Sequence, residues 1–154
     1  MRIGLWLIGA LVGGILAGAP HGAHAKATQS SRVTTYAVAL IGIPYRFGGV
    51  VPESGFDCSG FVAHVFSVAL DVTLPRSSYD MARASRSVQR AAMVPGDLVF
   101  YNTLGKPFSH VGIYLGKGQF IHAPRKGELV QQASMDDPYW RARFNGARKV
   151  MRAH

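Results

Sequence analysis

The chain reads as an α+β domain, with helices first and an antiparallel sheet after them. Two observations predict this. Two early segments repeat apolar residues at three- and four-residue steps. Several short β-forming runs follow, separated by Gly- and Pro-containing turns, the second and third of them a hairpin.

The elements follow in order. Ser31 to Ile41 is predicted helical, with Val33, Ala37, Leu40 and Ile41 on one face and Ser30 or Ser31 as cap. Gly42 and Pro44 end it, and the Gly/Pro-rich stretch from Tyr45 to Phe56 reads as a loop. Cys58 to Leu70 is a second helix, apolar at Phe61, Val62, Val65, Phe66 and Ala69, with Asp57 as N-cap and Cys58 in its first turn. Leu74-Pro75 breaks the chain, and Ser77 or Ser78 starts a short helix through Ala84. Strands are predicted over Asp97–Tyr101, His110–Leu115, Gln119–His122 and Leu129–Ala133, and more weakly from Phe144 to Met151. The turn at Gly116-Lys117-Gly118 makes a hairpin of the second and third.

Ahead of the domain, Arg2, the uncharged run Ile3–Ala19 and Ala23-His24-Ala25 follow the order of a secretory signal peptide cleaved after Ala25. The run is short for a membrane span, interrupted by Gly13-Gly14 and ended by Pro20. The reading is therefore residues 1–25 as signal peptide and 26–154 as one catalytic domain, with Lys26–Ser31 a flexible lead-in and no stable membrane anchor after cleavage. About 130 residues suit a single core, and a monomer is the default.

Charge narrows the partners. There are 17 Lys+Arg against 8 Asp+Glu, and loss of Arg2 lowers the excess by one, to +8. A cationic exported protein meets anionic polymers. The basic residues are dispersed, with no groove-binding helix or aromatic-basic ribbon, so no nucleic-acid partner is expected. Arg141, Arg143 and Arg148 read as a solvated basic surface, and Tyr36, Tyr101 and Tyr114 as core positions without special roles.

The sole cysteine, Cys58, cannot form an internal disulfide, so it is either inert and buried, paired with another chain, or kept for reactivity. A helix N-terminus lowers a thiol pKa through its unpaired N–H groups, and those groups can also hold an oxyanion. Gly60 is expected to leave room for substrate beside the thiol. Hairpin pairing can bring His110 and His122 to the same end, one facing the thiol and one orienting it; hairpin geometry by itself favours two unrelated strand-end histidines. A zinc site from Cys58, His110 and His122 has suitable ligand types but no close-spaced pair, and no metal or organic cofactor is expected. His64 lies off the apolar face and reads as solvated.

The segments Pro44-Tyr-Arg-Phe-Gly-Gly49, Gly55-Phe-Asp-Cys-Ser-Gly-Phe61, Leu74-Pro-Arg-Ser-Ser78, Pro95-Gly-Asp-Leu-Val-Phe100, Ser109-His-Val-Gly-Ile-Tyr114 and Phe120-Ile-His122 resemble, in order, the blocks of the NlpC/P60 family of cell-wall peptidases. The resemblance implies a papain-like fold, a helix bearing the cysteine packed on an antiparallel sheet bearing the histidine. It implies Cys58 as nucleophile, His110 as base and His122 as the residue orienting it. Tyr45 matches a tyrosine facing the active site, Asp57 and Ser59 flank the nucleophile and shape the substrate groove, and Arg76 and Ser109 are further substrate-binding positions. For Arg76 a surface ion pair fits as well. The implied activity is hydrolysis of an amide in peptidoglycan stem peptides, either between D-glutamate and the diamino acid or at the D-alanine–diaminopimelate cross-link. The implied location is the periplasm, or the cell wall and exterior, where the positive charge favours anionic wall polymers. An amidase or acyltransferase on the same fold and a non-catalytic wall-binding module are the alternatives. Whether the loop Val50–Ser54 narrows the groove stays open.

Overall fold

A computed structural model describes residues 21–152, with side chains from residue 28. Its elements are α1 (His21–Ala39), β1 (Val50–Val51), β2 (Gly55–Phe56), α2 (Cys58–Leu70), α3 (Ser78–Ala84), β3 (Arg86–Val88), β4 (Leu98–Tyr101), β5 (His110–Gly116), β6 (Gln119–His122), β7 (Gln131–Ser134), α4 (Pro138–Arg143) and β8 (Phe144–Lys149). A single 3-10 turn, Arg90–Ala92, precedes β4.

The large sheet has six strands in the order β3-β8-β4-β5-β6-β7, and every pairing is antiparallel. Because side chains alternate across a strand, its two faces build two cores. One face sets Leu98, Phe100, Val111, Ile113 and Ile121 against Val33, Ala37 and Leu40 of the α1 region and Phe61, Val62, Val65 and Phe66 of α2. The other gathers Val99, Tyr101, Phe120, Met135 and Ala147, with Trp140 and Phe144 packed against them.

The second helix begins and ends where expected, at Cys58 and Leu70. Asp57 caps it, accepting from the Gly60 N–H at 2.7 Å, and Asp71 closes it at φ 55°. Ser77 caps α3 in the same way, its hydroxyl accepting from the Asp80 N–H. The predicted hairpin is present as β5–β6.

Several expectations are corrected. The first helix starts at His21, so Lys26–Ser31 is helical and not a flexible lead-in, and the expected cleavage point after Ala25 falls inside it. Residues 1–20 of the expected signal peptide lie outside the described residues. Among those described, no helix is long and apolar enough to cross a membrane. That helix stops at Ala39, so Ile41 leaves its apolar face and is exposed. The stretch read as a loop between Tyr45 and Phe56 holds the β1–β2 pair, whose Val50 and Val51 are exposed. An edge strand, β3, and the short helix α4 were not anticipated; Asp137 caps α4 and Pro138 opens it.

His64 is not solvated. It is half-buried, its Nε2 lies 2.9 Å from the Tyr36 hydroxyl, and its ring is 5.1 Å from that of Phe56. Burial holds its pKa below the ordinary imidazole value. The reason is that α1 packs across this side of α2, which a single-helix projection does not reveal. Tyr36 thereby has a polar partner after all. The basic surface is also more engaged than expected: Arg143 lies over the Tyr139 ring at 3.7 Å and Arg148 over Phe108 at 5.1 Å.

Candidate active site

The first turn of α2 points into a cleft of about 600 Å³ lined by Tyr45, Cys58, Ser109, His110 and His122, among others. The five come from the loop after α1, from α2, and from the start of β5 and the end of β6. They are separated by up to 77 positions in sequence, from Tyr45 to His122.

The capping network of α2 sets the position of Cys58. Besides Gly60, the Asp57 carboxylate accepts from the Gly48 N–H at 3.1 Å and from both terminal nitrogens of Arg76, at 2.6 and 3.1 Å. Arg76 also donates to Ser59 Oγ at 2.8 Å, and Ser59 Oγ lies 3.3 Å from Asp57. Asp57, Ser59 and Arg76 are thus bound to one another, clamping the helix start to the loop before β1. They are absent from the cleft's lining residues. Gly60 serves the same clamp, and the expected room for substrate is not its purpose. A Cβ there would come within 2.0 Å of the Gly49 carbonyl oxygen, so only glycine lets the loop close on the helix.

The two histidines meet. Tyr101 pairs with His110, and continuing the β5–β6 register places His122 opposite Gly112, one diagonal step from His110 on the same face. Gly112 makes room for this, since a Cβ would sit 3.3 Å from that of His122 and 2.8 Å from the Phe120 ring. His110 Nε2 and His122 Nδ1 are 2.8 Å apart with the rings perpendicular, at 88°. Trp140 stacks on His110 at 5.5 Å and meets His122 edge-on at 4.9 Å. His110 and His122 are 3% and 1% exposed. With Nε2 engaged, Nδ1 is the ring nitrogen of His110 left for another partner.

Burial dominates the electrostatics. It pushes the Cys58 thiol up to about 11, against opposing help from backbone N–H groups of Val111, Ser59 and Cys58 itself, while the Asp57 charge adds to the rise. This corrects the expectation of a thiol lowered by its helix N-terminus: desolvation outweighs the N–H groups. Burial also pulls His110 down to about 4, and His122 well below the usual imidazole range with His110 as a second cause. A lone thiolate or a lone imidazolium is costly here. Moving one proton from sulfur to imidazole creates both charges together, and each then offsets the other's burial.

Tyr45 lines the cleft, and its phenol pKa is raised by burial first and by the nearby Cys58 and Asp57 next. Ser109 Oγ accepts from the N–H groups of Thr103 and Leu104, at 3.0 and 3.1 Å, so it braces the loop before β5 at the cleft edge. Sequence reasoning missed Trp140, and also Arg125, Glu128, Asp137 and Tyr139 in the cleft wall. The one signal for Trp140 was a Tyr-Trp pair set among charged residues, in Asp136-Asp-Pro-Tyr-Trp-Arg141. Among the described residues, no group of three or more His, Cys, Asp and Glu is placed to hold a metal ion.

Comparison with known proteins places this arrangement. The model of the NlpC/P60 family matches residues 42–149. Murein DD-endopeptidase MepH of Escherichia coli is 41% identical over 114 residues, covering 72% of this chain and 42% of that protein. Gamma-DL-glutamyl hydrolase of Bacillus subtilis is 40% identical over 137 residues, covering 88% and 33%. The chain therefore spans less than half the length of either relative. Among solved structures, the peptidoglycan hydrolase RipB of Mycobacterium tuberculosis superposes with a TM-score of 0.68 at 29% identity, covering 90% of this chain and 75% of that one. The papain-like α+β fold, the ordered motifs and these matches agree: the chain belongs to the NlpC/P60 family.

Proposed function

We propose that the protein is an exported cysteine endopeptidase that hydrolyses an amide bond in peptidoglycan stem peptides. The observation that carries this reading is the 2.8 Å contact between His110 Nε2 and His122 Nδ1, which leaves His110 Nδ1 for the thiol that shares its cleft. MepH is named a murein DD-endopeptidase and the B. subtilis relative a gamma-DL-glutamyl hydrolase. The first name is compatible with a cut at a D,D cross-link and the second with a cut at a γ-glutamyl bond, so the two leave both candidate bonds open.

For His110 Nδ1 to act as base, the resting imidazole carries its proton on Nε2 and donates it to His122 Nδ1. His122 then stays neutral with its own proton on Nε2, a state its burial favours. Nδ1 takes the thiol proton, and the thiolate attacks the substrate carbonyl. The N–H groups at the start of α2 and the Tyr45 hydroxyl hold the oxyanion. As the tetrahedral intermediate collapses, the C–N bond breaks and the imidazolium returns its proton to the departing amine. Water, deprotonated by His110, then releases the acyl group from sulfur. Asp57, Arg76 and Ser59 fix the helix start, and Ser109 fixes the opposite rim. Export of residues 26–154 after cleavage at Ala25 completes the reading, with the positive charge concentrating the protein at anionic wall polymers.

The test is digestion of purified peptidoglycan by residues 26–154, wild type and Cys58→Ala, with muropeptides identified by mass spectrometry. Fragments from the wild type alone are expected, and their masses name the bond. Wall binding without fragments from either protein would instead favour a binding module.

A further inference from the structure

The turn between β6 and β7 is built to hold an arginine at the cleft. Glu128 N–H closes on the Arg125 carbonyl at 3.0 Å, and Gly127, at φ +87°, occupies the position that requires a positive φ in this turn type. The turn is tied to the catalytic side of the molecule, because the Tyr45 N–H donates to the Glu128 carbonyl at 2.9 Å. On top of it, Arg125 Nε donates to Glu128 Oε1 at 2.7 Å, while Gln131 holds the other carboxylate oxygen at 3.1 Å.

Glu128 is therefore fixed from two sides, and it engages Arg125 through Nε alone. Among the described residues no hydrogen bond is made by the two terminal guanidinium nitrogens of Arg125. The Arg125 side chain is 77% exposed and Glu128 33%. Arg125 is also the one Lys or Arg among the residues lining the cleft, whose acids are Glu128 and Asp137. A guanidinium oriented at Nε, with its outer fork open, matches a carboxylate in bidentate geometry; a lysine ammonium would not.

We propose that Arg125 is a specificity-determining residue that takes a free carboxylate of the stem peptide beside the scissile amide, with Glu128 as its positioning residue. This rests on the endopeptidase reading above and names a group that its substrate must carry. The proposed ligand is the side-chain carboxylate of a dicarboxylic diamino acid; the same stem peptide with that group as carboxamide, or with lysine in its place, lacks the partner.

The experiment compares kcat/KM on two synthetic stem peptides, identical except that the diamino acid's side-chain carboxylate is free or amidated. The wild type is expected to prefer the carboxylate by about tenfold, the worth of one partly exposed charge-assisted pair. Arg125→Ala should bring the ratio near one, chiefly by slowing the carboxylate substrate. Arg125→Lys should fall between, and Glu128→Gln should reduce the ratio with Arg125 intact. A ratio unchanged in Arg125→Ala, or an equal fall on both substrates, would overturn the subsite while leaving the endopeptidase reading intact. Cleavage of neither substrate by the wild type would overturn that reading and the subsite with it.

Discussion

The two faces of the central sheet do opposite things. Toward the helices, Phe100, Val111, Ile113 and Ile121 meet Phe61, Val62, Val65 and Phe66, all fully or nearly fully buried and all apolar. Toward α4, Phe120 and Trp140 pack against two imidazoles with Tyr101 against those aromatics, and among the described residues the buried Tyr101 hydroxyl has no hydrogen-bond partner. One face optimises burial, which stabilises in proportion to apolar area. The other buries polar groups that cost stability unless they are paired. The same sheet thus carries a stabilising face and a chemical face, and substitutions on each should be separable by what they damage.

The largest separation comes from His110→Ala against Phe61→Ala. His110→Ala should lower kcat/KM on stem peptides by about a thousandfold or more, with a smaller stability loss of about 1–3 kcal/mol because buried His122 is left unpaired. Phe61→Ala should lower unfolding free energy by about 3–5 kcal/mol in a denaturant titration, with kcat of the folded fraction close to wild type. Comparable activity losses in both variants, measured on folded protein, would break the distinction. His122 gives a sharper version. His122→Ala removes the acceptor for His110 Nε2–H and should cost about a hundredfold in kcat. His122→Asn restores an acceptor oxygen and should recover about tenfold of that loss; equal rates for the two would mean that His122 does not orient His110.

The smallest effect is on stability against pH. His110 titrates near 4 folded and near 6.5 unfolded, so the unfolded chain binds more protons between those values and stability falls as pH drops through them. Cys58 runs the other way. Its folded value of about 11 exceeds the unfolded 9.0, so stability falls as pH rises through that interval. Thermal melts should show a plateau between about pH 6.5 and 9, and Cys58→Ala should weaken the alkaline decline. A decline of the same depth in Cys58→Ala would assign it to other groups.

Much of the helix face was legible from sequence because its signals are local. Cys58–Leu70 carries its own cap and its own period, and the β5–β6 turn carries its own glycines. The chemical face was legible only in part. His110 and His122 can be named from the ordered motifs, but the burial that lowers both pKa values, with His110 a second cause for His122, arises only on folding, as Trp140 and Phe120 pack against the rings. Helix α4 is six residues long, too short for a period, and its Trp140 lies between Tyr139 and Arg141. Strand β3, Arg86–Val88, is a mostly exposed edge with no alternating apolar pattern, held by pairing with β8. Gly60 was misread for the same reason, since its neighbour, the Gly49 carbonyl, is eleven positions away in sequence. The raised thiol pKa shows the general point: a cap and a helix start are visible in a sequence, but the burial that outweighs them is not.

The most direct test of the central claim, that Cys58 is the nucleophile of an amide hydrolase, is to trap its acyl-enzyme. Wild-type protein mixed with a synthetic stem peptide and quenched in acid within the first turnover should gain the mass of the acyl fragment, and peptide mapping should place the adduct on Cys58. Product formation with no adduct at any quench time, together with turnover by Cys58→Ala, would contradict the account and point to direct attack by water.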